Sequence, residues 1–533
     1  MQERKPRSTR HPLAMGILAA CLFHAGDTLA STTDLDWDTC ERSNPYIGEE
    51  HPGTSVLCAS LRVPLDYRNP TGKTTEVQVM RVRHGHIDTP RKAIFFNFGG
   101  PGHDPRETLE RTAVNWVDVA PDDEVFGEFN KVAGQFDLIT LVPRGMNPDN
   151  RLECDYDREL PLHELYENRD SNRAWRGLLE LTRNYARNCG PASQALGVDT
   201  DTYVKDIESL RMASGYDKLS FYGASYGSLT ALWYGASYPD RVSHMVLDGV
   251  MDVTRTWNDI VKTDLARRDQ ALIDAAVQPA ANDAQAYGLG MQAGSVLVKL
   301  MRMPLSLRVA WQADIETPED VLAAVTLSNW LTNGMTLRQV RAALDTHDFS
   351  KDTQVNHATI VAAAHLYAAI PRPPMLHRTG NDESDISTGT NLAVQCNDAP
   401  WERNVDTWRR FLLNSIGWSF SLGEGDIVTS LVCAQWPRTQ NRFPDVRKLA
   451  KLPPALILNG EYDRTTTWEG ARATMALMPR ARAVLARDTS DHGLLGKSLS
   501  PCIERTAARY LLTGALPASA VTKCHYEPMP DKR

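Results

Sequence analysis

A serine between two glycines, in the stretch FYGASYGSL, is the first candidate for chemistry in this chain. Ser225 lies between Gly223 and Gly227, with one residue on each side. The apolar run KLSFY before it predicts a buried strand, and YGSLTALWYGASY after it predicts a helix. A serine on a tight turn from strand to helix is raised above the sheet, where its hydroxyl can attack a carbonyl carbon. The context therefore predicts that Ser225 is a nucleophile.

A serine hydroxyl needs a base that accepts its proton and an acid that orients the base. His492 follows the strand-like stretch RAVLARD, and Asp463 closes the apolar stretch ALILNGEYD. The carboxyl ends of parallel strands meet at one edge of a sheet, where such sheets carry their sites. We predict His492 as the base and Asp463 as the acid. Asp248 also ends a predicted strand and is the alternative acid.

The stretch NFGGPGHDP, residues 97–105, predicts a loop that can stabilise a developing oxyanion. Its glycines allow the backbone to approach the site closely, and the N-terminus of the helix after Ser225 offers further N–H groups. We predict the backbone N–H groups of Gly100 and Tyr226 as the two oxyanion donors. A plain glycine turn is the alternative interpretation.

Continuous apolar runs predict the strands that position these residues. The runs are residues 93–98, 137–142, 218–222 and 244–249. Such runs are typical of strands that are covered on both faces, as in a parallel sheet. Helical patterns such as residues 201–215 lie between them, which indicates a mostly parallel sheet with helices on both faces. Ahead of these runs, residues 61–67 and 75–85 predict antiparallel strands.

The pattern changes to helical periodicity from about residue 254 to about residue 435, for example at residues 318–334. Within this part, residues 380–388 predict a loop. Strand signals resume at residues 454–463, so a sheet is begun, interrupted and completed. We therefore predict a core of residues 35–253 and 436–533, with a mainly helical insertion of residues 254–435.

The bulk composition is that of a globular protein. The chain has 533 residues, of which 42% are apolar, and its 58 basic and 66 acidic residues give a net charge of −8. The absence of a basic block excludes a nucleic-acid groove. The sequence has no C-x-x-C and no Cys/His cluster with zinc spacing, and we expect neither a metal nor a cofactor.

The first thirty residues predict a secretory signal peptide. Four basic residues precede an apolar run from Leu13 to Ala25, and small residues that suit cleavage end at Ala30. The run is too short to span a bilayer comfortably. LAAC, ending at Cys21, is similar to a bacterial lipoprotein box, so lipidation of Cys21 is the alternative to simple cleavage.

The cysteines favour an exported protein. Without Cys21 the chain has eight, an even number that suits disulfides in an oxidising compartment. They fall into neighbouring pairs along the sequence, which predicts the bonds Cys40–Cys58, Cys154–Cys189, Cys396–Cys433 and Cys502–Cys524.

Several of these motifs together resemble the prolyl and tripeptidyl aminopeptidases. They are FGGPG, GASYGS, MVLDGVMD, PALILNGEYDRTTTWEGA and DHG. QCNDAPW and CAQWP resemble the tripeptidyl branch, and the resemblance runs from about Trp37 to Cys524. It implies an α/β-hydrolase fold with a helical cap, exported serine peptidase activity on the N-terminal end of peptides, and Ser225, Asp463 and His492 as the triad.

The resemblance leaves the substrate open. The family usually has Pro or His where Phe98 stands, and glycine and serine where His103 and Asp104 stand. An esterase of the same fold is therefore the alternative function, and an inactive binding protein is a more remote one. An aminopeptidase must also neutralise the substrate's α-ammonium group, for which Asp398 and Glu461 are the candidates.

Overall fold

A computed structural model describes residues 35–40, 51–85, 92–147, 150–154, 168, 171–370, 383–439 and 441–529. The predicted leader of residues 1–30, with Cys21, lies outside the described residues.

A ten-stranded sheet forms the centre of the protein. Its strands are β1 (Asp38–Thr39), β2 (Thr54–Pro64), β3 (Thr74–His84), β4 (Lys92–Asn97), β5 (Phe136–Leu141), β6 (Leu219–Ala224), β7 (Val242–Asp248), β8 (Leu456–Gly460), β9 (Arg482–Arg487) and β10 (Val521–His525). They lie in the order β1-β2-β3-β5-β4-β6-β7-β8-β9-β10. The pairs β1–β2, β2–β3 and β3–β5 are antiparallel. All neighbouring strands from β5 to β10 in this order are parallel. The sheet thus confirms the predicted α/β-hydrolase fold.

Helices cover both faces of this sheet, as the continuous apolar strands require. On β4, neighbouring side chains pack on opposite faces, with Phe95 in one core cluster and Phe96 in the other. The Phe96 face packs against α1 (Arg106–Asp118), α2 (Gly127–Gln135) and α19 (Pro501–Thr513), whereas the Phe95 face packs against α3 (Asn172–Leu196), α4 (Thr200–Ala213), α5 (Tyr226–Ser237) and α18 (Trp468–Ala476).

The segment between β7 and β8 contains two helical parts. The segment starts with α6 (Trp257–Thr263), whose Val261 lies in the core cluster of the Phe95 face. The first helical part follows and has a hydrophobic core of its own around Trp311; its helices are α7 (Leu265–Leu272), α8 (Gln278–Asn282), α9 (Ala284–Tyr287), α10 (Ala293–Met301), α11 (Leu305–Trp311), α12 (Pro318–Thr332), α13 (Leu337–Leu344) and α14 (Thr353–Ala369). The second part is α15 (Glu383–Asp398), α16 (Val405–Trp418) and α17 (Glu424–Gln435). Its buried residues share the core cluster of α3, α4 and α5, so this part belongs to the packing of the sheet's own layer.

One local prediction is wrong. Residues 380–388 were expected to form a loop, but α15 begins at Glu383. Tertiary packing outweighs the weak helix propensity of the Asp, Ser, Thr and Gly residues in this stretch, since the helix lies against glycines of the core. A Cβ placed on Gly102 would be 2.4 Å from the carbonyl oxygen of Ser387.

Four disulfides join neighbouring parts of the chain. The structure pairs Cys40 with Cys58, Cys154 with Cys189, Cys396 with Cys433, and Cys502 with Cys524. Within the described residues, no helix has the length and apolar character needed to cross a membrane.

Candidate active site

Ser225 occupies a strained turn between β6 and α5. Its φ of 55° and ψ of −124° place it in a region that non-glycine residues seldom adopt, and its N–H donates to the carbonyl of Asp248 at 2.8 Å. The flanking glycines make the turn possible. A Cβ on Gly223 would lie 2.3 Å from the carbonyl oxygen of Gly227, and one on Gly227 would lie 2.1 Å from that of Asn97. Both side chains would therefore collide with backbone.

Asp463 and His492 are joined at the carboxyl ends of β8 and β9. The Asp463 carboxylate, 1% exposed, accepts from Nδ1 of His492 at 2.9 Å. Its other oxygen accepts the N–H groups of Thr465 and Thr466 at 2.8 and 2.9 Å. The bond to Nδ1 leaves Nε2 as the ring nitrogen that can accept a proton.

The environment of His492 raises its pKa. Burial alone lowers the pKa of the imidazole, but the hydrogen bond and the negative charge of Asp463 outweigh burial, and the charge of Asp248 adds to the increase. A stabilised imidazolium suits a group that must hold a proton briefly during a reaction.

Backbone contacts bring His492 and Ser225 to the same place. Gly249 follows Asp248, the residue whose carbonyl accepts the N–H of Ser225. A Cβ on Gly249 would lie 3.0 Å from Cε1 and from Nδ1 of His492. The serine turn and the imidazole therefore pack against two successive residues at the end of β7.

Asp248, the alternative acid, has other hydrogen-bond partners than His492. Its carboxylate is fully buried and accepts the backbone N–H groups of Leu494 and Leu495 at 2.8 to 2.9 Å. Tyr222 donates to the same carboxylate at 3.1 Å. Burial raises its pKa. Asp248 thus anchors the loop behind His492, whereas the imidazole is bonded to Asp463.

The predicted oxyanion loop lies directly against Ser225. Gly99 and Gly100 have φ values of +106° and +107°, which glycine adopts without a Cβ clash. A Cβ on Gly99 would lie 3.0 Å from the Cβ of Ser225. As the first residue of α5, Tyr226 has no residue four positions earlier in the helix to accept its N–H. The structure therefore brings the Gly100 loop and Tyr226 together around the serine.

The three departures in this loop have identifiable neighbours. Phe98 stacks on Phe96, with ring centroids 5.7 Å apart, and so belongs to the aromatic core. Asp104 forms an ion pair with Arg106 at 2.6 Å at the start of α1. His103 lies 3.3 Å from the hydroxyl of Thr108 and lines a cavity next to Tyr226.

The two carboxylates suggested for the substrate's ammonium group both have protein partners. Asp398, 2% exposed, accepts from the N–H and the hydroxyl of Thr200 at 2.8 and 2.7 Å, and burial raises its pKa to about 7. Glu461 accepts from Nε of Arg487 and from the N–H of Asp488, both at 3.1 Å. Neither pattern points to a site for an ammonium ion, and this role stays a prediction.

The QCNDAPW and CAQWP motifs meet in space. Cys396 is bonded to Cys433, and the amide oxygen of Asn397 accepts from the indole N–H of Trp436 at 2.8 Å. The amide nitrogen of Asn397 donates to the hydroxyl of Ser193 at the end of α3. These motifs fasten α15 and α17 to the core.

One residue that contacts both Asp463 and His492 was not predicted from the sequence. The hydroxyl of Thr466 donates to Asp463 at 2.8 Å and lies 3.2 Å from Nδ1 of His492. Its place three residues after Asp463, in the run RTTT, was the available signal, but a threonine has no catalytic signature of its own.

Comparisons with known proteins show which enzymes this chain resembles. A family model described as TAP-like protein matches residues 422–524, which include Asp463 and His492. The tripeptidyl aminopeptidase of Streptomyces coelicolor is 26% identical over 94% of this chain and 88% of the relative. The serine protease Hip1 of Mycobacterium tuberculosis is 25% identical over 92% of this chain and 91% of the relative. Carboxylesterase B of the same species is 26% identical over 47% of this chain and 49% of the relative.

These similarities confirm the predicted resemblance to the tripeptidyl aminopeptidases. The similarities to the tripeptidyl aminopeptidase and to Hip1, a serine protease by name, extend over nearly the whole chain. With the α/β-hydrolase fold, they also confirm the predicted enzyme class, a serine-type hydrolase.

Proposed function

We propose that this protein is an exported serine aminopeptidase, of the tripeptidyl or prolyl type, that releases short peptides from the N-terminus of a substrate. The observation that carries the proposal is the 2.9 Å bond between Asp463 and His492, beside a serine in a strained turn. The relatives named as a tripeptidyl aminopeptidase and a serine protease support a peptide as the substrate.

The first half of the reaction forms an acyl-enzyme. Oγ of Ser225 attacks the scissile carbonyl carbon while Nε2 of His492 accepts the hydroxyl proton. The carbonyl oxygen becomes an oxyanion, which the N–H groups of Gly100 and Tyr226 stabilise. The C–N bond then breaks, His492 gives its proton to the leaving amine, and an ester joins the substrate's N-terminal fragment to Ser225.

The second half releases that fragment. A water molecule attacks the ester carbonyl and passes a proton to His492, and the oxyanion forms again between the same donors. When the C–O bond breaks, Oγ of Ser225 regains the proton, and the fragment leaves as a carboxylic acid. Asp463 holds the imidazole in one tautomer and stabilises its protonated form in both halves.

The helical segment between β7 and β8 is the basis for proposing that cleavage is restricted to one end of a peptide. In the aminopeptidases that the sequence resembles, such a cap roofs the pocket and admits only a chain end. Export is proposed from the leader-like residues 1–30, and the disulfides are compatible with an oxidising compartment. A lipid anchor at Cys21 remains the alternative to release by cleavage.

Ester hydrolysis is the second candidate function. The similarity to carboxylesterase B over half of the chain favours it, and the same acyl-enzyme would form from an ester, with an alcohol as leaving group. An inactive binding protein, the more remote alternative, would not react covalently at Ser225.

Digestion of a peptide library, followed by mass spectrometry of the products, tests the proposal. We expect fragments of constant short length from free N-termini, no cleavage of N-acetylated peptides, and no products with the Ser225→Ala variant. If the protein hydrolyses p-nitrophenyl butyrate but cleaves no peptide, it is an esterase and the aminopeptidase proposal is wrong. A lack of labelling of Ser225 by a fluorophosphonate would reject both enzymes.

A further inference from the structure

One helix, α15 (Glu383–Asp398), touches both sides of the candidate oxyanion hole. Ser387 and Asn391 of this helix contact the glycine loop that carries Gly100, and its last residue is linked to Tyr226 through one side chain. The helix belongs to the inserted segment, yet its buried side chains lie in the core cluster of the sheet. It is therefore fixed to the layer that carries the serine turn.

The first set of contacts holds the glycine loop. The hydroxyl of Ser387 donates to the carbonyl of Gly102 at 2.6 Å, and the amide nitrogen of Asn391 donates to the carbonyl of Pro101 at 3.0 Å. A loop with three glycines is entropically costly to order, and these two bonds fix the carbonyls that immediately follow Gly100. The backbone directly after Gly100 is therefore held by α15.

The second set of contacts reaches Tyr226. Its hydroxyl lies 2.7 Å from the hydroxyl of Thr200, which donates to the carboxylate of Asp398 at 2.7 Å. Thr200 has a single hydroxyl proton. When Asp398 is ionised, that proton points to Asp398, so the hydroxyl of Tyr226 is the donor to Thr200. The carboxylate thus sets the donor and acceptor of both hydrogen bonds, from Tyr226 to Thr200 and from Thr200 to Asp398. Tyr226 itself is buried, with 4% of its surface exposed.

We infer that α15 is the positioning element of the oxyanion hole: Ser387 and Asn391 hold the loop of Gly100, and Asp398 holds Tyr226 through Thr200. Asp398 then acts in transition-state stabilisation through Tyr226, in place of binding the substrate's ammonium group. This inference rests on the proposed acyl-enzyme chemistry at Ser225.

The central test compares Thr200→Val with Thr200→Ser, since valine has the shape of threonine without the hydroxyl and serine keeps the hydroxyl. Tyr226→Phe and Asn391→Leu test the other two links. Tyr234→Phe is the matched control, because Tyr234 lies on the same helix as Tyr226 and donates to another buried carboxylate, that of Glu208, at 2.7 Å.

Two substrates are needed, p-nitrophenyl butyrate and a tripeptide anilide. Both reactions pass through an oxyanion at Ser225, but only the anilide extends along a peptide-binding site. A misplaced oxyanion donor costs up to about 10²–10³-fold in kcat, and a partial shift costs less. We expect Thr200→Val, Tyr226→Phe and Asn391→Leu to lower kcat about tenfold or more on both substrates, with little change in KM. Thr200→Ser should regain most of the lost kcat.

Other outcomes overturn the inference. If Thr200→Val and Thr200→Ser lose equal amounts of kcat, or if Tyr234→Phe loses as much, these contacts contribute to stability in general and do not position the oxyanion donors. A rise in KM for the anilide alone would assign α15 to substrate binding. If Thr200→Val fails to fold, as judged by circular dichroism and the melting temperature, Tyr226→Phe and Asn391→Leu decide the question in the same way.

The ester assay separates this inference from the proposed function. If the wild type hydrolyses the ester but cleaves no peptide, the aminopeptidase proposal fails, whereas the effects of the variants on ester turnover still test α15. If peptides are cleaved and the variants keep the wild-type kcat on both substrates, α15 loses its positioning role and the aminopeptidase proposal stands.

Discussion

Asp463 and His492 share a hydrogen bond of 2.9 Å between Oδ2 and Nδ1, although they follow different strands of the sheet. The bond fixes the imidazole ring and assigns its proton-accepting role to Nε2. The Asp463 oxygen that makes this bond also accepts from Thr466, so the carboxylate is itself held in place. This pair decides the pH dependence of the proposed reaction.

We predict that kcat/KM rises with pH through a midpoint above 6.5. The base works only when His492 is neutral, and the raised pKa of His492 shifts the loss of activity on acidification to higher pH. Asp463→Asn removes the negative charge that raises this pKa, so its residual activity should show a lower midpoint. Initial rates on p-nitrophenyl butyrate between pH 5 and 9 measure both midpoints.

Burial raises the pKa of Asp398 to about 7, so Asp398 titrates in the same pH range. Its variant Asp398→Asn is the control: if the midpoint disappears in this variant, the titration belongs to Asp398 and not to His492. A profile that stays flat from pH 5 to 8 in the wild type would argue against His492 as the base.

The strained backbone of Ser225 predicts a gain in stability when glycine replaces the serine. A residue held at an unfavourable φ and ψ costs about 1–3 kcal/mol, and glycine relieves this at an entropic cost of about 0.5–1 kcal/mol. Ser225→Gly should therefore increase the free energy of unfolding, whereas Ser225→Ala keeps the Cβ and the strain. Both variants should lose several orders of magnitude in rate.

Urea denaturation of the two variants measures this difference. Because both lack the hydroxyl, their comparison isolates the backbone from the nucleophile. A Ser225→Gly protein less stable than Ser225→Ala would mean that the turn stores no strain.

Substitution of Asp248 should reduce mainly stability, whereas substitution of Asp463 should reduce mainly activity. Asp248→Ala leaves the N–H groups of Leu494 and Leu495 and the hydroxyl of Tyr222 without their buried acceptor, at about 1–3 kcal/mol for each orphaned group. Asp248→Asn keeps the shape and should be destabilised while retaining most of its kcat. Asp463→Asn should lose about 10⁴-fold in kcat, because the imidazole is then held in the wrong tautomer.

Melting temperatures and single-turnover rates of the two asparagine variants make this comparison. A larger loss of kcat in Asp248→Asn than in Asp463→Asn would exchange the two roles and make Asp248 the acid of the site.

The parts of the site that could be predicted from sequence are those with a local signal. Gly223 and Gly227 mark the serine turn because their backbone neighbours leave no room for a Cβ. Asp463 and His492 were found because each follows an apolar strand, and parallel strands end at one edge. Asp463 was predicted as the acid from its place in the chain, and Asp248 was kept as the alternative because the sequence does not show where each carboxylate points.

The parts that could not be predicted depend on contacts between distant residues. Thr200 and Asp398 are separated by 198 positions, and no periodicity or motif relates them. Residues 383–388 were expected to be a loop because of their composition, yet they are helical against Gly102. The suggested ammonium-binding role of Asp398 came from charge alone, which carried no information about its partner Thr200.

The disulfide Cys396–Cys433 should connect stability with catalysis. It joins α15 to α17 and closes a loop of 37 residues, so replacing both cysteines by alanine should lower the free energy of unfolding by about 2–4 kcal/mol. Because α15 is then less firmly held, kcat on p-nitrophenyl butyrate should fall as well. Replacement of Cys40 and Cys58 is the control, since their disulfide joins the residue directly after β1 to β2 at the edge of the sheet. It should destabilise the protein without lowering kcat at temperatures where the protein is folded. If both double variants change kcat equally, the Cys396–Cys433 disulfide contributes to stability and has no separate effect on catalysis.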